Sequence, residues 1–275
     1  MKDEQLFDLH SYVDQTILDA YKAFQSDALR FWGDPKNEKS AMGLDASTAR
    51  AIDSGFKEDR GPIAVYESWA ALQLHRVMES PVLVSSLSTR EGFESWHRDL
   101  AESLVAHWRE RISVHNELLQ QVEGEKFFPV NPELNIAHRY KLVDLFVRYL
   151  RLKGGSHPEL AKHCFEYGHI PLDRRSLAVI SAVFSGIGVG DKFRMGDVVS
   201  ETMYRTYQRL ARAIVELAGG TPLLLDVFAL ESTVAKKLYE KKASVPTRKS
   251  IKRKRKKSQL RPAATSGIEV LPRAE

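Results

Sequence analysis

The chain has 275 residues, of which 43% are hydrophobic and 28% are charged, and its formal net charge is +5 at pH 7. These values are typical of a soluble globular protein with a substantial core. No apolar run approaches the roughly 20 residues of a membrane span, and the opening residues MKDEQLFDLH lack the layout of a signal peptide. The only cysteine, Cys164, excludes an internal disulfide, and we therefore expect a cytoplasmic protein.

The charge is divided between an acidic body and a basic tail. Residues 241–275 hold twelve Lys or Arg and two Glu, so this segment carries +10 and the rest of the chain −5. Eight of the ten residues in RKSIKRKRKK (248–257) are basic. Such a block does not fold alone and usually binds polyanions, although it can also serve only for solubility. We predict a disordered tail over 244–275, whose DNA contacts include Arg253, Lys254 and Arg255.

Helical periodicity dominates the chain before the tail. The only strand candidate is the short run SPVLVSSLS (80–88). We therefore predict an all-α fold with an N-terminal helical lobe over 1–124 and a second lobe over 125–243. The predicted helices are 4–31, 62–80, 93–123, one from the cap Asn135 to the Gly154–Gly155 pair, a short one from Pro158, 174–185, 196–218 and 222–242.

The helix after Asn135 carries a lysine beside its apolar side. Its apolar residues recur at steps of three or four and form one stripe: Ile136, Tyr140, Val143, Val147 and Leu150. Lys141 lies next to this stripe. Most such lysines extend an apolar stem along the core and place the ammonium group in water, so Lys141 alone does not indicate chemistry.

A second segment, GHIPLDRRSLAVI (168–180), places Asp173 at the start of another predicted helix, where capping is the simplest interpretation. Together, YKLVDLFVRYL and HIPLDRRSLAVI resemble the catalytic core of helix-hairpin-helix DNA glycosylases, in the 8-oxoguanine glycosylase branch. The resemblance implies a two-lobed helical fold with the active site between the lobes. It also implies Lys141 as nucleophile and Asp173 as catalytic carboxylate. Their 32-residue separation resembles the archaeal type.

A third stretch, GGTPLLLDVFALES (219–232), is similar to the closing element of that branch. The resemblance places Asp226 and Phe228 at the extruded base. The aromatic residues Trp69, Phe127 and Phe128 are further candidates for the base pocket.

The sequence departs from the family pattern at the segment that binds a DNA phosphate. The family's hairpin before the lysine is rich in glycine, whereas PELNIAHRYK contains none. The helix N-terminus would then have to bind the phosphate. The predicted DNA contacts in the folded part are Asn135, His138, Arg139, Arg174 and Arg175.

The predicted reaction is removal of a base that has been flipped out of the DNA stack. Breaking the N-glycosidic bond builds positive charge on the sugar, which the Asp173 carboxylate would stabilise. Burial disfavours the ammonium form of a lysine, and a neutral amine can attack C1′ to give a Schiff base with AP-lyase activity. Water could attack instead. An oxidised purine and a bulky, phage-type modified cytosine are equally weighted substrates.

Two other classes of function stay open. One is a helical nucleic-acid-binding protein without catalysis. The other is an abortive-infection RNase with an Arg-x4–6-His motif, for which RLKGGSH (Arg151 to His157) has the spacing, but the glycine pair interrupts the helix that such a motif needs. The histidines show no metal-ligand pair at i, i+4, and GIGVG (186–190) has no preceding strand. We expect DNA as the partner and no metal, cofactor or obligate protein partner.

Overall fold

The structure is a computed structural model that describes residues 13–32, 41–44, 46–52, 61–121, 131–152, 156–185 and 195–244. Within these ranges all regular structure is helical, which confirms the predicted all-α class. The basic tail beyond 244, with Arg253, Lys254 and Arg255, lies outside the described residues. The α-helices are α1 (Gln15–Trp32), α2 (Ala46–Ile52), α3 (Pro62–Met78), α4 (Pro81–Ser86), α5 (Arg90–Gln120), α6 (Ile136–Arg151), α7 (Pro158–Tyr167), α8 (Arg174–Val183), α9 (Glu201–Ala218), α10 (Pro222–Glu231) and α11 (Thr233–Ser244).

The strand candidate at 80–88 was wrong. Residues Pro81–Ser86 form α4, and the Ser80 side chain accepts a hydrogen bond from the Leu83 backbone N–H at 3.2 Å. A serine N-cap followed by proline at the first helical position favours a helix start. These two signals outweigh the β-branched residues of this short run.

The prediction of a single helix over 222–242 was wrong, because this segment forms two helices. Ser232 has extended backbone angles (φ −63°, ψ 135°) and separates α10 from α11. Its side chain accepts a hydrogen bond from the Val234 backbone N–H at 3.2 Å. The helix predicted at 196–218 begins later, because Ser200 caps α9 through the Met203 backbone N–H at 3.2 Å.

Helix α6 lies in the middle of the core. It packs against α3 and α5, which precede it in the chain, and against α7 and α9, which follow it. The stripe predicted for this helix is buried at Tyr140, Val143, Val147 and Leu150, and other sides of the helix are buried as well. One continuous cluster of buried side chains includes residues from both predicted lobes.

Helix α1, near the beginning of the described chain, packs against helices near its end. It packs against α8, α9 and α10, and the Tyr21 hydroxyl donates a hydrogen bond to the Thr221 carbonyl at 3.1 Å. Among the described helices, no single one is long and apolar enough to cross a membrane. Only α9 and α10 taken together pass that test, and they are bent by 93°.

A glycine allows another segment to approach α6. Residues Ala41–Gly43 form a short 3-10 helix packed on α6, and Gly43 has a φ of +86°. A Cβ at Gly43 would collide with the backbone carbonyl of Leu145. Any larger residue would therefore be strained and would also push this segment away from α6.

Candidate functional site

The beginning of α6 is capped as predicted. The Asn135 side chain accepts a hydrogen bond from the His138 backbone N–H at 2.8 Å, and its amide nitrogen lies 3.0 Å from His138 Nδ1. Lys141 lies further along this helix and is only 5% exposed. Burial lowers the pKa of His138, and the nearby Lys141 charge lowers it further.

Asp173 caps α8 through one of its two oxygens. Its Oδ1 accepts hydrogen bonds from the backbone N–H groups of Arg175 at 2.7 Å and Ser176 at 3.0 Å. The Ser176 hydroxyl in turn accepts one from the Asp173 backbone N–H at 2.8 Å, which completes a capping box. Asp173 is half-buried, and both of these capping bonds use Oδ1, so Oδ2 takes no part in them.

Asp226, the third predicted polar residue, lies in the same region. It is 3% exposed, and its Oδ2 accepts a hydrogen bond from Arg148 Nη1 at 2.7 Å. Burial raises the pKa of the Asp226 carboxyl, and Asp173 adds to the rise, while Arg148 and Lys141 oppose it. Asp173 and Lys141 are therefore near enough to act on Asp226. We call Lys141, Arg148, Asp173 and Asp226 the lysine cluster.

The lysine cluster brings together charged groups that can act on a ligand. It places an amine and two carboxylates, from α6, α8 and α10, in one partly buried region. Arg148 neutralises Asp226, and the partly exposed Asp173 can face a developing positive charge. Carboxylates in such partly desolvated sites act on charge more strongly than they would in water.

The predicted aromatic residues that the structure describes are core residues. Trp69 is 1% exposed, lies edge-on to Phe146 at a centroid distance of 5.2 Å, and donates its indole N–H to Ser103 at 3.0 Å. Phe228 is fully buried, and its ring meets Tyr21 at 5.5 Å. In these positions neither ring is open to a base. Phe127 and Phe128 lie outside the described residues.

The predicted DNA contacts lie at two helix starts. Asn135 is exposed, whereas His138 and Arg139 are half-buried, and the Arg139 guanidinium lies 5.2 Å from the centroid of the Tyr140 ring. Arg174 and Arg175 are exposed on the first turn of α8, directly after Asp173. The arginine pair is therefore displayed beside the lysine cluster.

The two residues of the RNase pattern, Arg151 and His157, do not lie on the same helix. Arg151 is the last residue of α6, and His157 caps α7, which begins at Pro158. The structure therefore does not place Arg151 and His157 on the single helix that the motif needs.

A second group of buried polar side chains was missed in the sequence. His97 Nε2 lies 2.8 Å from Asp144 Oδ1, which also accepts a hydrogen bond from the Tyr204 hydroxyl at 2.9 Å. His169 Nδ1 lies 2.8 Å from the same hydroxyl, and His169 Nε2 lies 2.9 Å from Glu94 Oε1. We call these five residues the histidine cluster. The available signal was a histidine at helical spacing with Phe93, Leu100 and Leu104, and an aspartate between Val143 and Leu145.

The environment sets the charge of several groups in the histidine cluster. Burial lowers the pKa of His97, and the neighbouring His169 lowers it further, against the opposing effect of Asp144. For Glu94, burial acts to raise the pKa, but His169 and Arg212 together hold it well below its ordinary value. Burial and then the Asp144 charge raise the pKa of Tyr204. The cluster thus contains a neutral imidazole beside carboxylates.

Two cavities lie away from both clusters. One of about 800 Å³ is formed by the end of α3, α4 and α7, and one of about 350 Å³ lies between α3 and α5. Neither is lined by Lys141, Asp173 or Asp226.

Comparison of the chain with protein-family models, curated proteins and solved structures found no match.

Proposed function

We propose that this chain is a DNA glycosylase that flips out a modified base and excises it, leaving an abasic site. The observation that carries the proposal is the lysine cluster. Buried Lys141 and half-buried Asp173, which are the two residues of the motif resemblance, both act on the buried carboxyl of Asp226. Residues separated by 32 and 53 positions along the chain converge from three helices.

Asp173 is the group that stabilises the sugar cation. As the N-glycosidic bond breaks, the base leaves with the bonding electrons and C1′ becomes electron-poor. The Asp173 carboxylate uses Oδ1 to cap α8, and Oδ2 faces the cation. Lys141 then attacks C1′ in a bifunctional enzyme, or it positions the DNA while water attacks in a monofunctional one.

The two-lobed arrangement belongs to the same proposal. The arrangement is supported by α6, the helix that carries Lys141, which packs against α3 and α5 of the range 1–124 and against α7 and α9 of the range 125–243. DNA would approach along the α8 N-terminus with Arg174 and Arg175. Because Trp69 and Phe228 are core residues, the base pocket is formed by other side chains, for which Phe127 and Phe128 are candidates. The tail adds affinity through phosphate contacts.

The decisive experiment uses duplex and single-stranded oligonucleotides that carry 8-oxoguanine or a glucosylated hydroxymethylcytosine. Alkali after incubation reveals abasic sites, and borohydride traps a Schiff base. We expect excision by the wild-type chain and a loss of about 100- to 1,000-fold in Asp173→Asn, since the variant loses the charge. Asparagine is an equally good N-cap, so the helix start is retained.

Asp14→Asn is the matched control. Asp14 accepts a hydrogen bond from the Thr16 backbone N–H at 3.0 Å at the start of α1. The Asp14→Asn variant should excise the base at the wild-type rate. A folded Asp173→Asn protein with wild-type excision would contradict the proposal. Binding of all the DNAs without excision of any base would instead identify a non-catalytic nucleic-acid-binding protein.

A further inference from the structure

The histidine cluster has the donor set of a metal site. The ligand atoms of His97, Asp144 and His169 all lie within 4.8 Å of one another, and the three residues are 2%, 0% and 5% exposed. Two imidazoles and one carboxylate are donors that Zn²⁺ uses in proteins. We propose that these three residues bind a divalent transition-metal ion, with Zn²⁺ as the best fit.

The second carboxylate oxygen of Asp144 supports a cation at this position. Oδ1 accepts hydrogen bonds from His97 and Tyr204, but the buried Oδ2 has no hydrogen-bond partner in the described part of the chain. A buried polar atom without a partner destabilises the fold, because it has lost its hydrogen bonds to water. A bound cation would satisfy this oxygen and compensate the Asp144 charge.

The surroundings of His169 match those of a metal-bound histidine. Such a histidine usually donates its other ring N–H to a carboxylate, which fixes its tautomer and orientation. Here Glu94 Oε1 lies 2.9 Å from His169 Nε2, and Arg212 Nη2 donates to the same oxygen at 3.1 Å. Nδ1 is thereby left as the ligand atom on the side of Asp144 and Tyr204.

In this proposal the Tyr204 oxygen takes the fourth position, and its hydroxyl proton is released to solvent when the ion binds. The Tyr204 hydroxyl lies 2.8 Å from His169 Nδ1 and 2.9 Å from Asp144 Oδ1. Four protein donors in a closed site are typical of structural Zn²⁺, whereas a catalytic ion keeps an open position. The ion would therefore tie α5, α6, α9 and the segment before α8 together. This inference is independent of the proposed glycosylase activity, and it revises the expectation of no metal drawn from the sequence.

The test uses the full chain, stripped with EDTA and dialysed into buffer without chelator. Co²⁺ is added as a spectroscopic probe, and Zn²⁺ affinity is measured by titration calorimetry. We expect one Co²⁺ per chain with the intense visible bands of a four-coordinate N/O site. Asp144→Asn should lose these bands, and Glu94→Gln should weaken binding by roughly 10- to 100-fold.

His163→Gln and Glu91→Gln are the matched controls. His163 is another buried histidine, outside the cluster, and Glu91 is an exposed glutamate on the helix that carries Glu94, so both variants should bind as the wild type does. Asp144→Asn that binds as the wild type does, or a wild-type chain with neither the bands nor a Zn²⁺-dependent rise in Tm, would overturn the proposal. If Asp144→Asn does not fold, these two wild-type measurements decide the question.

Discussion

The lysine cluster and the histidine cluster meet at α6 but are built differently. In the histidine cluster five side chains are joined in a continuous chain of contacts of 2.8–2.9 Å. In the lysine cluster Arg148 Nη1 donates to Asp226 Oδ2 at 2.7 Å, and Asp173 is half-buried and caps α8 with Oδ1 alone. A connected buried network fixes a core, whereas charged groups near an opening can act on a ligand.

Removal of Asp226 should have the largest effect on stability. Asp226→Ala leaves the mostly buried Arg148 guanidinium without its anion, and breaking such a pair costs about 3–5 kcal/mol. Urea unfolding measures this change. In the double variant Arg148→Met, Asp226→Ala, most of the stability should return because no buried charge is left unpaired.

The double variant also separates structure from chemistry in the lysine cluster. If Asp226 contributes to the base pocket, excision stays low although stability has recovered. Wild-type excision in the double variant would assign Asp226 a purely structural role.

The histidine cluster should respond to Asp144→Ala with a loss of about 2–4 kcal/mol. The substitution leaves two buried donors, the His97 ring and the Tyr204 hydroxyl, without their acceptor. Chemical unfolding of Asp144→Ala, Tyr204→Phe and the double variant gives the coupling between the two residues. Additive losses would show that the Asp144–Tyr204 hydrogen bond contributes nothing to stability.

The smallest change in stability is expected at Asp173. Asp173→Ala removes the N-cap of α8 and should cost about 0.5–2 kcal/mol, while Asp173→Asn should cost less because asparagine also caps. Both variants should lose excision equally. If excision instead falls in proportion to the loss of stability in each variant, Asp173 acts only as a helix cap. The lysine cluster would then be structural, as the histidine cluster is.

The two clusters also differ in how far the sequence predicts them. The start of α6 follows from the apolar spacing and from Asn135, and the capping role of Asp173 follows from a local pattern; both are confirmed. The end of α6 is at Arg151, before the predicted stop at the Gly154–Gly155 pair. Such signals act within one or two helical turns. The resemblance pointed to Asp226, but nothing in the sequence indicated its bond to Arg148, 78 positions away.

The histidine cluster could not be predicted for the same reason. Its members come from α5, α6, α9 and the loop before α8, and its contacts join residues 35 to 75 positions apart. Local chemistry also explains the error at 80–88, where the apolar composition favoured a strand but Ser80 and Pro81 start a helix. Long-range pairing depends on tertiary packing, which periodicity along one element does not report.

The packing of α1 against α10 has a consequence for how the protein is made. Tyr21 and Thr221 are 200 positions apart, and a ribosome adds about 5–20 residues per second, so α1 waits roughly 10 to 40 s for its partner. Ile17, Leu18 and Tyr21 are buried in the finished fold, and the packing of α1 against α10 is missing during this time. Folding therefore finishes only after α10 has left the ribosome.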